Sequence, residues 1–396
     1  MTPRSLACML LIAAAARADV LHVPGEFPTI AVAVEAAGPG DTILISAGTY
    51  DEQVVVFGAD GLTIRGQGKV ELTGLTNEIG LILDNCVNTT VEKLRFRGLS
   101  LGLRVTNCQD VTVRKCRAEE MAELGFQLLD GTNTLFDRCR VDGAIDHGLQ
   151  IVSGTGCLVR RCTFEDVNFG LQVQAVSALE VDHLRVERAS QSGLQLGDGC
   201  AGVDVHHARI LDSAAGFDVA ADAGIFRHDL VADPAGVGIQ CSSGAANNLF
   251  EHERVVSSGG DAFLVGGTGQ ELRSCRAVKA GAAGFRLADV GQHLVQDCRA
   301  TSPASYGLLV NGGCGDCSLL DNRVTHAPEN GLETDGDRTV LVGNRATGTG
   351  IDGIRVGSEL NVLTGNHAHG SGGFDLHDLV GSSTYADNHF GTESLP

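Results

Sequence analysis

A glycine followed by an apolar, a polar and a second apolar residue returns every 22 to 24 residues through most of the chain. Examples are Gly102-Leu103-Arg104-Val105, Gly125-Phe126-Gln127-Leu128, Gly148-Leu149-Gln150-Ile151, Gly170-Leu171-Gln172-Val173 and Gly353-Ile354-Arg355-Val356. A fixed period of this size marks a solenoid, in which each repeat is too short to bury its own inner face and does so only by stacking on its neighbours. The length of 396 residues would allow two or three globular domains, but a solenoid grows without dividing. One elongated domain over 19–396 is therefore predicted. The high glycine content, 53 residues, and the absence of Trp suit many tight turns around a narrow core.

Within a repeat, the residues flanking the polar position are apolar, as in Leu149 and Ile151 around Gln150, and this alternation reads as a half-buried strand. A second alternating segment follows about ten residues later (Val111-Thr112-Val113, Leu179-Glu180-Val181). A third, shorter one contains Val141, Phe164, Val186 or Val324. Three short strands per repeat, separated by Gly, Asn, Asp and Ser, predict three parallel sheets around a common core.

The cysteines obey the same period: Cys116, Cys139 and Cys162 lie 23 apart, as do Cys275 and Cys298. Such spacing predicts ladders of buried small side chains, with disulfides between adjacent rungs as the alternative. Cys314 and Cys317 fall within one turn and suit either a small closed loop or a metal. After Cys298 the rung continues as Asn322, Asn344, Asn366 and Asn388. Stacked asparagines at a bend bond to one another and to the bend's backbone, a device of parallel β-helices.

The N-terminus carries Arg4, an apolar run from Leu6 to Ala16 and then Ala16-Arg17-Ala18. This is the pattern of a signal peptide cleaved after Ala18, so a secreted or periplasmic location is expected. Its removal takes the formal charge from −20 to −22, which disfavours nucleic acid as a partner. No stretch is long and apolar enough to predict a membrane span. Residues 28–38, from Pro28 to Gly38, read as an amphipathic capping helix with Ile30, Val34 and Ala37 over the first coil.

The run FPTIAVAVEAAGPGDTILISAGTYDEQVVV, followed by LTIRGQG, resembles the N-terminal cap and first coils of the pectin-lyase-like superfamily of right-handed parallel β-helices. It is especially similar to the repeat-containing, NosD-type members. The resemblance implies an all-β, single-stranded right-handed parallel β-helix, here of roughly 13–15 coils with a short N-terminal capping helix. It also implies involvement with polysaccharides, as lyase, epimerase, hydrolase or binding protein, without deciding which.

The outward residue of the first strand runs Ile82, Arg104, Gln127, Gln150, Gln172, Gln195, Asp218 and onward to Arg355 and Asp375. Coils about 4.8 Å apart align Gln127 to Gln195 over four rungs, where amides either contact sugar hydroxyls or satisfy one another. In the superfamily this chain resembles, that sheet floors the substrate groove. The preceding turns supply Glu123, Asp146 and Asn168, with His147 next to Gly148. Proton abstraction beside a uronate carboxylate needs a base and a neutralising cation. The expectation is therefore His147 as base, Asp146 and Glu123 as orienting groups and Arg104 as the cation. Gln127, Gln150, Gln172, Gln195 and Asn168 serve as sugar contacts. Asp146, Glu123 and Asp142 are candidate ligands for calcium, the one cofactor considered. The competing reading makes them solubilising turn residues of an acidic solenoid.

Motifs of particular enzymes are missing: there is no adjacent Asp-Asp, no Gly-His-Gly and no Arg-Ile-Lys of the polygalacturonase type, and no Asp-Pro-His of the epimerase type. The histidines look scattered and offer no ligand cluster for a copper role. Arg117, Arg140, Arg276, Arg299, Arg323 and Arg345 each follow a ladder rung. They are expected to pair with acids such as Asp137, Asp182 and Asp297, the alternative being a cationic stripe for carboxylated or sulfated chains. Function is thus expected to be action on, or binding of, a polysaccharide along the first-strand sheet. A non-catalytic glycan-binding or cell-surface structural repeat protein is the alternative.

Overall fold

The glycines are inward contact points between coils. A Cβ on Gly216 would lie 2.2 Å from the carbonyl oxygen of Gly238 in the next coil and 2.5 Å from Val231. The repeat thus marks where backbone meets core. In the computed structural model, which describes residues 18–289 and 291–395, the coils stack in parallel, with Phe126 opposite Leu103 and Leu149, and Gln127 opposite Arg104 and Gln150.

Among the described residues the first strands form one sheet of sixteen, more than the 13–15 coils read from the sequence. The excess lies at the ends, where Val54–Phe57 and Glu393–Ser394 join without a repeat glycine. The second and third strand series were expected as separate sheets. They are joined because the long strand Thr63–Thr73 pairs with both Thr90–Glu92 and Arg95–Arg97. One register differs as well: Arg355 pairs with His377, which pairs with Ser394, so the outward series passes through His377 and not Asp375. Asp375 is buried at the position that glycine holds in the preceding coil.

The core is a single column of Leu, Ile, Val and Phe, with Phe263 stacked on Phe285 at 4.7 Å. The cap is a helix over Ile30–Ala36, shorter than the predicted 28–38 because the Thr29 side chain accepts the Val32 N–H and starts it there. Ile30 and Ala33 are buried, with Val34 and Ala37 packed against the core. All twelve cysteines from Cys86 onward are buried free thiols. The thiol of Cys298 donates to the Leu272 carbonyl. Asn322, Asn344 and Asn366 continue this pattern, each donating an amide N–H to the corresponding carbonyl. No helix among the described residues is long and apolar enough to cross a membrane. The predicted signal peptide lies almost wholly outside the described residues.

Candidate functional site

The predicted glutamine face exists as one hydrogen-bonded chain. Arg104 Nε donates to Gln127 Oε1 (2.9 Å), Gln127 to Gln150 (2.7 Å), Gln150 to Gln172 (2.9 Å), Gln172 to Gln195 (2.8 Å), and Gln195 to Asp218 Oδ2 (3.2 Å). A guanidinium at one end and a carboxylate at the other give all four amides the same direction. Three of the half-exposed glutamines, Gln127, Gln150 and Gln172, sit where the sheet is widest. Leu124–Thr132, His147–Thr155 and Phe169–Ser177 are nine residues each, against three in the first-sheet strands from Ile239–Cys241 to Leu376–Asp378. This broadening was not legible in the repeat pattern.

Beside the ladder, the turns stack as expected. The Asp146 N–H donates to the Glu123 carbonyl (2.8 Å) and the Asn168 N–H to the Asp146 carbonyl (2.9 Å). Glu123 is exposed, and the Asn168 side chain accepts from the Ser190 hydroxyl. His147, however, does not face solvent. Its side chain is 6% exposed and both ring nitrogens are buried without a hydrogen bond. Asp146 Oδ2 lies 3.0 Å from Nδ1 but without hydrogen-bond alignment. The ring stacks on Phe169 at 5.1 Å and aligns with Leu124 and Phe169 on the adjoining strands. It therefore fills an apolar column. Burial pushes its pKa below the ordinary imidazole range, and the charge of Asp146 opposes this only in part.

The proposed calcium ligands do not converge. Among the described residues, the group whose metal-ligating atoms lie within 4.8 Å of one another is Asp182, His183 and His207, not Glu123, Asp146 and Asp142. Asp142 faces guanidinium groups instead, 3.3 Å from Arg117 and 3.5 Å from Arg140. A carboxylate already matched by two arginines is a poor cation ligand.

The arginine series divides in two. In the early coils Arg140 pairs with Glu165 (3.0 Å) and Arg160 with Asp137 (3.0 Å), as expected. Further on, Arg254, Arg276, Arg299, Arg323 and Arg345 stand exposed in register. No carboxylate lies within 4.0 Å of them among the described residues. The expected acid partner Asp182 is instead engaged by histidines.

The histidines, read as scattered, form a cluster. His183, His207, His228 and His252 stack at 4.9, 5.7 and 4.9 Å along one corner of the helix. The signal was present: each stands immediately before the ladder rung of its coil. Burial, followed by the neighbouring His183 and His206, lowers the His207 pKa. Behind them the rung is acidic, with Asp229 and Glu253 buried.

A family profile described as "Right handed beta helix region" matches residues 60–210, 102–255 and 261–391. The chain belongs to the right-handed β-helix family. Among solved structures, this β-helix is similar to the A-module of the mannuronan C-5 epimerase AlgE6 of Azotobacter vinelandii. Identity is 13%, coverage is 79% of this chain and 92% of that one, and the TM-score is 0.51. It is also similar to the catalytic domain of a GH87 α-1,3-glucanase in complex with tetrasaccharides. There identity is 10%, coverage 76% and 64%, and the TM-score 0.50. The β-helix thus spans about 64% of that glucanase domain's length. At these identities the likeness establishes the fold. No curated protein sequence matches the chain.

Proposed function

We propose that this β-helix is an exported protein that binds polysaccharide along its first-strand sheet, over the coils carrying Gln127, Gln150, Gln172 and Gln195. The observation that carries the reading is the aligned amide ladder on the widest part of the sheet. Each interior amide spends one N–H and one oxygen lone pair on its neighbours, and so keeps one donor and one acceptor for a ligand. Because the ladder already fixes the side chains, little rotamer entropy remains to be lost on binding. The signal-peptide pattern before Asp19 supports export, and the epimerase and glucanase among the structural neighbours support a polysaccharide ligand. Binding is favoured over catalysis at the ladder because the histidine beside it, His147, has both nitrogens buried. A base must reach the proton it removes.

A second reading is favoured by the unpaired arginines. Arg276, Arg299, Arg323 and Arg345, repeating at about one coil spacing of 4.8 Å, suit a chain with regularly spaced carboxylates or sulfates.

Calorimetry with neutral and uronate polysaccharides, with and without Ca²⁺, separates these readings. Gln127→Ala/Gln150→Ala/Gln172→Ala is expected to weaken binding at least about tenfold, since each lost ligand hydrogen bond contributes roughly 1 kcal/mol. His147→Leu, which installs the residue found at 101 and 124, retains binding. Binding lost only on replacing the arginines would establish the second reading. Unsaturated products or new reducing ends that disappear in His147→Leu would overturn the non-catalytic assignment.

A further inference from the structure

The corner residue before each ladder rung has a left-handed backbone: Arg138, Arg161, His183, His207, His228 and His252 all have φ between 54° and 59°. That conformation tolerates His along with Asn and Asp, so it accounts for any one of these histidines. It does not account for what surrounds the first two. Asp182 ends the strand Glu180–Asp182 and pairs in register with His206, which points outward one coil away. The Asp182 carboxylate touches His183 Nδ1, and the same oxygen lies 3.2 Å from His206 Nδ1 and 3.9 Å from His207 Nδ1. Three imidazole nitrogens from two coils therefore face a single carboxylate oxygen.

The nitrogens also face one another. His206 Nδ1 and His207 Nδ1 are 3.2 Å apart. Two ligands bonded to one tetrahedral ion at roughly 2.0–2.1 Å stand about 3.3 Å apart. The supporting contacts follow the pattern of ligating histidines, whose other ring nitrogen meets a carboxylate that fixes the ring. His206 Nε2 lies 3.5 Å from Glu180 Oε1. His207 is held by stacking between His183 and His228, with interplanar angles of 22° and 17°. His183 and His207 are about half exposed, so an ion has access from solvent.

We propose that Asp182, His183 and His207, whose ligating atoms lie within 4.8 Å of one another, form a binding site for a divalent transition-metal ion of the imidazole-preferring kind, such as Zn²⁺. His206, 3.2 Å from Asp182 and from His207, is the fourth ligand. Three nitrogens and one oxygen are a donor set for such borderline ions and a poor one for Ca²⁺, which takes six to eight oxygens. The site lies on a different face from the glutamine ladder and does not depend on the glycan reading.

The test is calorimetric titration of the untagged, chelator-treated full chain with ZnCl₂, and separately with CaCl₂. The expected result is one Zn²⁺ per chain and no Ca²⁺ at these residues. His183→Asn/His207→Asn keeps residues that tolerate the left-handed backbone, and is expected to weaken Zn²⁺ binding at least a hundredfold without lowering the melting temperature. Glu180→Gln is expected to weaken it about tenfold. His252→Asn, further along the same stack, is expected to leave it unchanged. Absence of Zn²⁺ binding, or equal loss in His252→Asn and His183→Asn/His207→Asn, would overturn the assignment. Ca²⁺ binding abolished by the double variant would overturn its chemical class.

Discussion

Folding stability falls as the pH rises from about 5 to about 9, and the double replacement Asp229→Asn/Glu253→Gln removes most of that fall. The reason lies in the ladder rung. At this corner the Cys275 thiol donates to the Phe250 carbonyl (3.4 Å) and the Asn322 amide to the Val295 carbonyl (2.8 Å). Two coils put acids there instead. Asp229 Oδ1 accepts the Ala208 N–H (2.6 Å) and Glu253 Oε1 accepts the Asp229 N–H (3.4 Å). Asp229 Oδ2 and Glu253 Oε2 are buried without a partner. Only a protonated carboxyl offers the donor that the rung supplies elsewhere.

Burial accordingly pushes both carboxyls up, Glu253 to about 8 and Asp229 with a further push from the Glu253 charge. An unfolded Glu titrates near pH 4.3. Between those values the folded chain holds a proton that the unfolded chain has lost. The stabilisation is therefore complete below the unfolded pKa and disappears as the pH rises through the folded one. For a group this buried the loss is on the order of a few kcal/mol. Denaturant midpoints at several pH values are expected to decline for the wild-type chain, to decline less for Glu253→Gln and to stay nearly level for Asp229→Asn/Glu253→Gln. Parallel declines in the wild-type chain and the double variant would sink this explanation.

Replacing Asn344 by Ala is expected to cost about 3–5 kcal/mol, because it orphans several buried groups at once. Asn344 Nδ2 donates to the Leu319 carbonyl (2.7 Å) and to Asn366 Oδ1 (3.0 Å). Its Oδ1 accepts both the backbone and side-chain N–H of Asn322, each at 3.0 Å. Asn344→Cys is expected to cost roughly half as much, on the order of 2 kcal/mol. A thiol at this rung both donates and accepts, as Cys298 does toward the Leu272 carbonyl and from the Cys275 N–H. Equal destabilisation in chemical denaturation would show that side-chain volume, rather than rung hydrogen bonding, sets the cost.

The period made the fold legible because each part of a coil is confined by the coils above and below. A glycine whose absent Cβ would strike the next backbone cannot drift in register, so the outward series was readable from Arg104 to Arg355. It slipped at the next coil, where Asp375 replaces the glycine. The candidate site was less legible. Period-two alternation from Gln150 puts His147 inward with Leu149 and Ile151, but the residue reads as part of the preceding turn, whereas the strand already begins at His147. The histidine is thereby tucked into a column that the sequence already shows as Leu101, Leu124 and Phe169. The histidine cluster was hidden by its coil-to-coil contacts: Asp182 and His206 meet only when strands one repeat apart are laid side by side. Charge pairing was equally invisible, because Arg140 and Arg276 occupy the same repeat position and only the first has acids within reach.

Hydrogen–deuterium exchange with and without a bound polysaccharide tests the central claim most directly, because it reports which face the ligand covers. The ladder reading predicts new protection confined to Leu124–Thr132, His147–Thr155, Phe169–Ser177 and Ser192–Leu196, with the rest of the β-helix unchanged. Protection confined to the strands carrying Arg276, Arg299, Arg323 and Arg345 would contradict it.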